Sequence, residues 1–160
     1  MSPRAAARLE SLGFREVYEY KAGKLDWMAA GLPTEGTNAG RPRAGDVARK
    51  DVPVCGLKDR LGDVRDRARA SGWNAAVVVN DDRVVLGLLR AKELENDGDL
   101  LIEQAMRPAP STFRPNVLIG EMAKFMVEHD VESSPVTTSD GKLVGLLVRS
   151  DVTRIAAGKP

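Results

Sequence analysis

The chain is poor in the side chains that most often carry catalysis and metal binding. Its 160 residues include one cysteine, Cys55, and one histidine, His129. A single cysteine excludes an internal disulfide, and two such ligands are too few for a zinc site within one copy. We therefore predict no metal site and no catalytic residue. Cys55 is interpreted as an inert packed residue and His129 as a helix-capping or solvent-edge residue.

Long apolar runs, aromatic residues and an excess of one charge are also lacking. The longest apolar runs, Val84–Leu89 and Leu143–Val148, are far shorter than the roughly 20 residues that span a bilayer. The 24 Lys and Arg residues nearly balance the 23 Asp and Glu residues, and there are two Trp, two Tyr and three Phe. This balance argues against nucleic-acid binding. Since the N-terminus offers no apolar signal region, we expect a cytoplasmic protein without a membrane span.

The first 50 residues differ in composition from the rest of the chain. Apolar spacing predicts a helix from Ser2 to Leu12, a short strand within Phe14–Tyr20 and a helix around Leu25–Ala30. Residues 36–50 combine turn-forming and charged residues with few apolar ones, which is typical of a linker. We therefore predict a short α-β-α unit over residues 1–35, followed by a linker over residues 36–50.

The remainder of the chain is built twice. At an offset of 58 residues, Leu61-Gly62-Asp63-Val64 aligns with Ile119-Gly120-Glu121-Met122, and Val85-Leu86-Gly87-Leu88-Leu89 aligns with Leu143-Val144-Gly145-Leu146-Leu147. Each copy is predicted to contain a short strand, a helix, a two-stranded hairpin and a final helix. The predicted repeats span residues 51–97 and 98–160. Because the strands are apolar on both faces, we expect the copies to pack together about a pseudo-two-fold axis in an α/β fold, α+β in some schemes.

This repeated order, with Gly-Leu-Leu near the end of each copy, resembles the cystathionine-β-synthase-type (CBS) domain, and two in tandem resemble a Bateman module. The strongest match is Ser134-Pro135-Val136-Thr137, Asp140 to Gly145 and Ser150-Asp151-Val152. In that family an Asp at the end of the pattern binds the ribose hydroxyls of an adenosine ligand between the repeats. The resemblance implies this role for Asp151, with Ser150 and Arg149 beside it. It also implies a pocket lined by Thr112, Val131, Ser133 and Pro135.

The two copies depart from the family pattern in different ways. The family has a Thr or Ser three residues after the glycine of the pattern. This position is Val148 in the second copy and Arg90 in the first, and Glu93 stands where the first copy's ribose-binding Asp would be. We therefore expect one ligand site, at Asp151. The alternative is that Asp151 is simply an acid favoured at a helix start.

Residues 1–35 resemble the C-terminal end of a rhodanese domain. The matching segments are Ser2 to Leu9, Leu12-Gly13-Phe14, Val17 to Tyr20, Gly23 to Trp27 and Ala30 to Pro33. The persulfide-carrying cysteine of rhodaneses would precede this segment, and Cys55 lies beyond the predicted linker. The resemblance therefore implies a fragment without the nucleophile.

Together these features predict a non-catalytic regulatory module. It requires no cofactor and senses AMP, ADP, ATP or S-adenosylmethionine in the cleft between its repeats. Two alternatives remain: part of a rhodanese-type sulfurtransferase fused to CBS domains, or a dimerisation module without a ligand. A homodimer is expected because four apolar residues form a wide stripe on one helix. They are Leu118, Met122, Phe125 and Met126.

Overall fold

In the computed structural model, which describes residues 2–21 and 23–158, residues 44–156 form two sets of elements that match at the 58-residue offset, apart from one two-residue strand in each set. The first set consists of α3 (Ala44–Val47), β1 (Val54–Cys55), α4 (Leu61–Ala70), β2 (Ala76–Val79), β3 (Val85–Leu89) and α5 (Ala91–Leu94). The second set consists of α6 (Ile102–Ala105), β4 (Arg107–Pro108), α7 (Ile119–Glu128), β5 (Ser133–Thr137), β6 (Leu143–Val148) and α8 (Arg149–Ala156). Two further helices precede them, α1 (Ser2–Ser11) and α2 (Gly23–Ala29).

The repeat seen in the sequence is confirmed by these bounds. Helices α4 and α7 both contain ten residues and begin at Leu61 and Ile119. The hairpins β2–β3 and β5–β6 form as antiparallel pairs. At the turn of the second hairpin, Gly141 has φ +85°, a backbone conformation that glycine adopts without strain. The predicted mixed α/β class is correct.

Helix α7 shows how periodic apolar residues build the second repeat. Ile119, Met122 and Met126 are almost completely buried, in one cluster with Val136 of β5 and Leu147 of β6. Part of the apolar stripe that suggested a homodimer is therefore satisfied within the chain. Phe125 and Val127 keep 38% and 60% of their surface exposed, so these two residues are the apolar part of α7 that faces solvent.

The short helices at the start of each repeat pack against the opposite repeat. The N–H of Ala44 in α3 donates to the carbonyl of Val117, just before α7, at 2.8 Å. In the matching contact, the N–H of Ile102 in α6 donates to the carbonyl of Asp59, just before α4, at 3.0 Å. Ala44 is fully buried. Part of the predicted linker 36–50 is therefore packed structure, and a four-residue helix is too short to show apolar periodicity.

The strands are exchanged in the same way. The first sheet has the order β1-β2-β3-β4, so its last strand, Arg107–Pro108, comes from the second repeat. Correspondingly, Arg49 and Leu146 of β6 exchange two backbone hydrogen bonds of 2.9 Å. Gly145 allows this approach, because a Cβ there would lie 2.8 Å from the carbonyl oxygen of Arg49. The backbones of Arg49 and Arg107 thus occupy equivalent places on opposite sheets.

The predicted strand within Phe14–Tyr20 is wrong, since residues 12–21 contain no strand. A strand is stable when another strand accepts and donates its backbone hydrogen bonds, and no partner strand approaches this segment in the described structure. Tyr18 is 87% exposed. The following helix, α2, buries Met28 and lines a pocket together with Thr138, Leu143 and Val144 of the second repeat.

Candidate functional site

A cavity of about 240 Å³ lies between the two repeats. Eight of the eleven residues around it form four pairs related by the 58-residue repeat, such as Arg90 with Val148 and Ala91 with Arg149. The cavity therefore lies close to the pseudo-two-fold axis. It is lined by Trp73, Asn74, Ala75, Arg90, Ala91, Glu132, Ser133, Leu146, Val148, Arg149 and Ser150.

A second cavity of about 490 Å³ adjoins the first. Arg90, Ala91 and Glu132 line both cavities, so the two form neighbouring parts of one cleft. The other residues around the second cavity are mostly charged. They are Lys92, Glu93, Arg107, His129, Asp130 and Val131.

The structure brings together some of the predicted site residues. Arg149, Ser150 and Ser133 line the first cavity, and Val131 lines the second. The other three line neither cavity. Pro135 is buried within β5, and Thr112 is exposed, its hydroxyl oxygen 3.3 Å from that of Thr137.

Asp151, the third of these, lies in the first turn of α8, one residue beyond Ser150. Its side chain is 29% exposed and forms an ion pair of 3.6 Å with Arg154. The positive end of the helix dipole favours a negative charge in this turn. Asp151 is therefore a partly solvent-exposed hydrogen-bond acceptor beside the cleft.

Arg149 is held at the mouth of the cleft by an acidic residue of the preceding loop. Its Nη1 donates to Oδ1 of Asp130 at 2.6 Å. Asp130 has φ +50°, a conformation that side chains other than glycine rarely adopt, and the matching position in the first repeat is Gly72 with φ +71°. The side chain of Arg149 is 32% exposed, so it remains accessible from the cleft.

Glu93 occupies the position of Asp151 in the first repeat but has a different environment. It is buried, and both of its carboxylate oxygens are engaged. Oε1 accepts a hydrogen bond of 2.9 Å from Nε of Arg107, and Oε2 accepts one of 3.0 Å from the N–H of Arg90. Glu93 is thus an internal bridge at the start of α5.

A cluster around Arg49, which sequence reasoning missed, lies at the matching place in the second sheet. Arg49 donates to both oxygens of Asp51, from Nε at 3.2 Å and from Nη2 at 2.7 Å. Its guanidinium carbon lies 4.0 Å from the centre of the Trp73 ring, and Nε1 of Trp73 donates to Asp51 at 3.3 Å. The hydrogen bond from Arg49 lowers the pKa of Asp51 below its ordinary value. An alignment of the two copies pairs Arg49 with Arg107. It does not show that the two arginines bind different partners.

Cys55 and His129 take structural positions. Cys55 is buried in the core of the first repeat, and this burial raises the pKa of its thiol to about 12. A thiol in this state has almost no thiolate at neutral pH and is a poor nucleophile. His129 is the C-cap residue of α7, and its ring lies 4.3 Å from that of Phe125.

The described residues contain no group of three or more His, Cys, Asp or Glu side chains that could hold a metal ion. No helix within residues 2–21 and 23–158 is both long enough and apolar enough to cross a membrane.

The fold and the paired cleft are those of a CBS pair, and comparison with protein families agrees. The CBS domain family matches residues 44–95 and residues 99–158. The chain therefore belongs to the CBS domain family. The matched residues begin at Ala44, in α3. The rhodanese resemblance of residues 1–35 remains a prediction.

Curated relatives share this region at low identity. An uncharacterised protein of Methanopyrus kandleri is 22% identical over 119 residues, which cover 69% of this chain and 61% of that protein. An inosine-5'-monophosphate dehydrogenase of Korarchaeum cryptofilum is 27% identical over 112 residues, 69% of this chain and 23% of the enzyme. The similarity thus spans less than two thirds of either relative.

Solved structures share the fold. CBSX2 in complex with AMP superposes with a TM-score of 0.65 at 21% identity, covering 73% of this chain and 97% of that one. The CBS domain pair of protein MJ0100, in complex with 5'-methylthioadenosine and S-adenosyl-L-methionine, gives 0.66 at 15% identity and covers 75% and 99%. The cytosolic domain of the Mg²⁺ channel MgtE in complex with ATP gives 0.64 at 21% identity and covers 71% and 48%.

Proposed function

We propose that this CBS pair is a non-catalytic regulatory module that binds an adenine nucleotide or a related adenosyl compound in the cleft between its repeats. The observation that carries the proposal is the cleft itself, where Arg149 and Ser150 at the start of α8 line a cavity formed by both repeats. AMP, ADP, ATP and S-adenosylmethionine are the candidate ligands, and similar folds have been solved with AMP, ATP and S-adenosylmethionine. The expected place of action is the cytoplasm.

The residues of the cleft suit the parts of such a ligand. The Asp151 carboxylate can accept hydrogen bonds from two neighbouring ribose hydroxyls, which are stronger than bonds between neutral groups. Arg149 and Arg90 offer positive charge to a phosphate, and the hydroxyls of Ser133 and Ser150 offer further hydrogen bonds. Leu146, Val148 and Trp73 supply apolar surface for a base.

The size of the cleft fits a ligand that uses both cavities. Small-molecule sites usually measure roughly 300–1,000 Å³. The first cavity is slightly smaller than this range at about 240 Å³, and the adjoining one lies within it at about 490 Å³. A nucleotide would therefore extend from Asp151 through the first cavity toward the second, where Arg107 and Lys92 lie.

We expect one such ligand for each chain. The ribose-binding role in the first repeat would fall to Glu93, whose two oxygens already accept hydrogen bonds from Arg107 and Arg90. A ribose would have to break both bonds, and Glu93 is buried. Among the described residues, Asp151 forms only the 3.6 Å ion pair with Arg154.

Ligand binding would act by shifting the angle between the repeats. Both repeats contribute to the cleft, so a ligand that contacts both favours one relative orientation. The shift in population can be no larger than the difference in the ligand's affinity for the two orientations.

Isothermal titration of the protein with AMP, ADP, ATP and S-adenosylmethionine tests the proposal. We expect at least one to bind below millimolar concentration with one site per chain. Absence of binding by all four would refute ligand sensing and favour a purely structural dimerisation module.

We also propose a homodimer that covers the exposed apolar part of α7. Phe125 and Val127 face solvent there, and Phe125 packs edge-on against Phe113 with ring centres 5.2 Å apart. Light scattering should report twice the chain mass, and Val127→Glu should return it to one. A monomer at tens of micromolar, with or without nucleotide, would contradict this proposal.

A further inference from the structure

We propose that Asp51 and Trp73 are positioning residues that hold Arg49 away from Asp151 and so keep that carboxylate free for a ligand. This inference rests on the proposed function. It identifies why the carboxylate at the helix start is accessible to a ligand in the second repeat and engaged by an arginine in the first. It concerns three side chains outside the family motif, in which a Gly is followed by two apolar residues, a Thr or Ser, two further residues and the ribose-binding Asp.

The argument starts from two equivalent arginines. Arg49 pairs with Leu146 on β6, and Arg107 pairs with Leu88 on β3, the same position 58 residues earlier. Each arginine thus pairs with the strand, β3 or β6, that leads into an acidic helix start. Arg107 faces Glu93, and Arg49 is placed to face Asp151.

The two side chains nevertheless go to different partners. Arg107 donates to Glu93 at 2.9 Å and so occupies one of its carboxylate oxygens. Arg49 donates to Asp51 and stacks on Trp73. Within residues 23–158, Asp151 forms an ion pair with Arg154 and none with Arg49. Asp151 still contributes to the raised pKa of Arg49, after the larger effect of Asp51, so the two charges are near enough to interact.

The sequence difference between the repeats explains this difference. At the positions that match Asp51 and Trp73, the second repeat has Ala109 and Val131. Neither can accept a hydrogen bond from a guanidinium or stack beneath it. Arg107, with no alternative partner of this kind, forms its ion pair with Glu93. Arg49 has a carboxylate and an aromatic face, and a cation over Trp is a favourable contact.

The experiment removes the acceptor that distinguishes the repeats. Asp51→Ala introduces the residue that the second repeat has at this position, and Asp51 is solvent-exposed, so the fold should tolerate the change. Trp73 is buried and is left in place. We expect Arg49 to turn to Asp151 and adenosine, an uncharged probe of the ribose contact, to bind about fivefold more weakly. Asp99→Ala, which removes an exposed ion pair with Arg60, is the matched control and should bind like the parent.

Rescue separates this role from a general structural one. In the double variant Asp51→Ala/Arg49→Ala no arginine is left to cover Asp151, so adenosine affinity should return to that of Arg49→Ala alone. A crystal structure of ligand-free Asp51→Ala should show Arg49 bonded to Asp151. Undiminished affinity in Asp51→Ala, or a loss that Arg49→Ala does not relieve, would overturn the inference while leaving the proposed function intact. If the parent binds neither adenosine nor AMP, the proposed function fails and this inference fails with it.

Discussion

Asp151 and Glu93 hold equivalent positions in the two repeats, but replacing Asp151 by alanine should mainly weaken binding, whereas replacing Glu93 should mainly lower stability. Among the described residues, Asp151 makes one partly exposed ion pair of 3.6 Å, with Arg154. Its loss should lower the free energy of unfolding by about 0.5–1 kcal/mol, the range for a helix-start acid and a surface pair. The same change should weaken adenosine binding by about 1.5–3 kcal/mol, because it removes a charged acceptor.

Glu93→Ala should show the reverse. It leaves the N–H of Arg90 without its acceptor and frees Arg107, whose side chain is 58% exposed and can be solvated. A lost cap costs about 1 kcal/mol and a lost hydrogen bond to a charged group somewhat more. We expect the free energy of unfolding to fall by about 2 kcal/mol and adenosine affinity to change little.

Urea denaturation and calorimetric titration measure the two quantities on the same samples. Affinities are to be compared at a temperature where circular dichroism shows each variant folded. If Asp151→Ala binds adenosine like the parent, the site is not at Asp151. If Glu93→Ala is as stable as the parent but loses affinity, the roles assigned to the two carboxylates are reversed.

Two further predictions concern the close contact between the repeats and the single thiol. Gly145→Ala should destabilise the fold by about 1–3 kcal/mol in urea denaturation, because its Cβ would lie 2.8 Å from a backbone oxygen. The control Gly120→Ala, on the open side of α7, should be neutral or stabilising, and equal effects would contradict the packing described. Cys55 should react with a thiol reagent at pH 8 far more slowly in the native than in the urea-unfolded protein, and fast labelling of the native protein would refute this. The protein should also release no thiocyanate from thiosulfate and cyanide. A thiocyanate-releasing activity that is lost in Cys55→Ser would contradict this expectation. Burial raises the pKa of the Cys55 thiol from 9.0 to about 12. The stability that depends on this thiol staying protonated is therefore complete below pH 9 and declines as the pH rises toward 12.

The sequence by itself determined the long helix, the hairpin and the final helix of each repeat, and their order. Apolar spacing in α7 and the continuous apolar runs of β3 and β6 are local patterns, and a residue's neighbours along the chain are enough to read them. The 58-residue offset and the Asp140-Gly141 turn are equally local. These features led to the CBS family and to Asp151 before any contact was known.

Tertiary structure alone decided which segments meet. The exchange of α3 and α6 depends on contacts between residues about 40 to 75 positions apart, such as Ala44 with Val117, and no short pattern encodes them. The strand expected within Phe14–Tyr20 did not form, because a strand requires a partner that local sequence does not supply.

The site shows the same division most clearly. Arg49 and Arg107 are the same residue type at matching positions, so the sequence pattern treats them alike. Their contacts differ: Arg49 lies against Asp51 and Trp73, whereas Ala109 and Val131 stand at the matching positions in the other repeat. Hydrogen bonding and stacking act over a few ångströms in space, and the fold, rather than distance along the chain, decides which groups come that close.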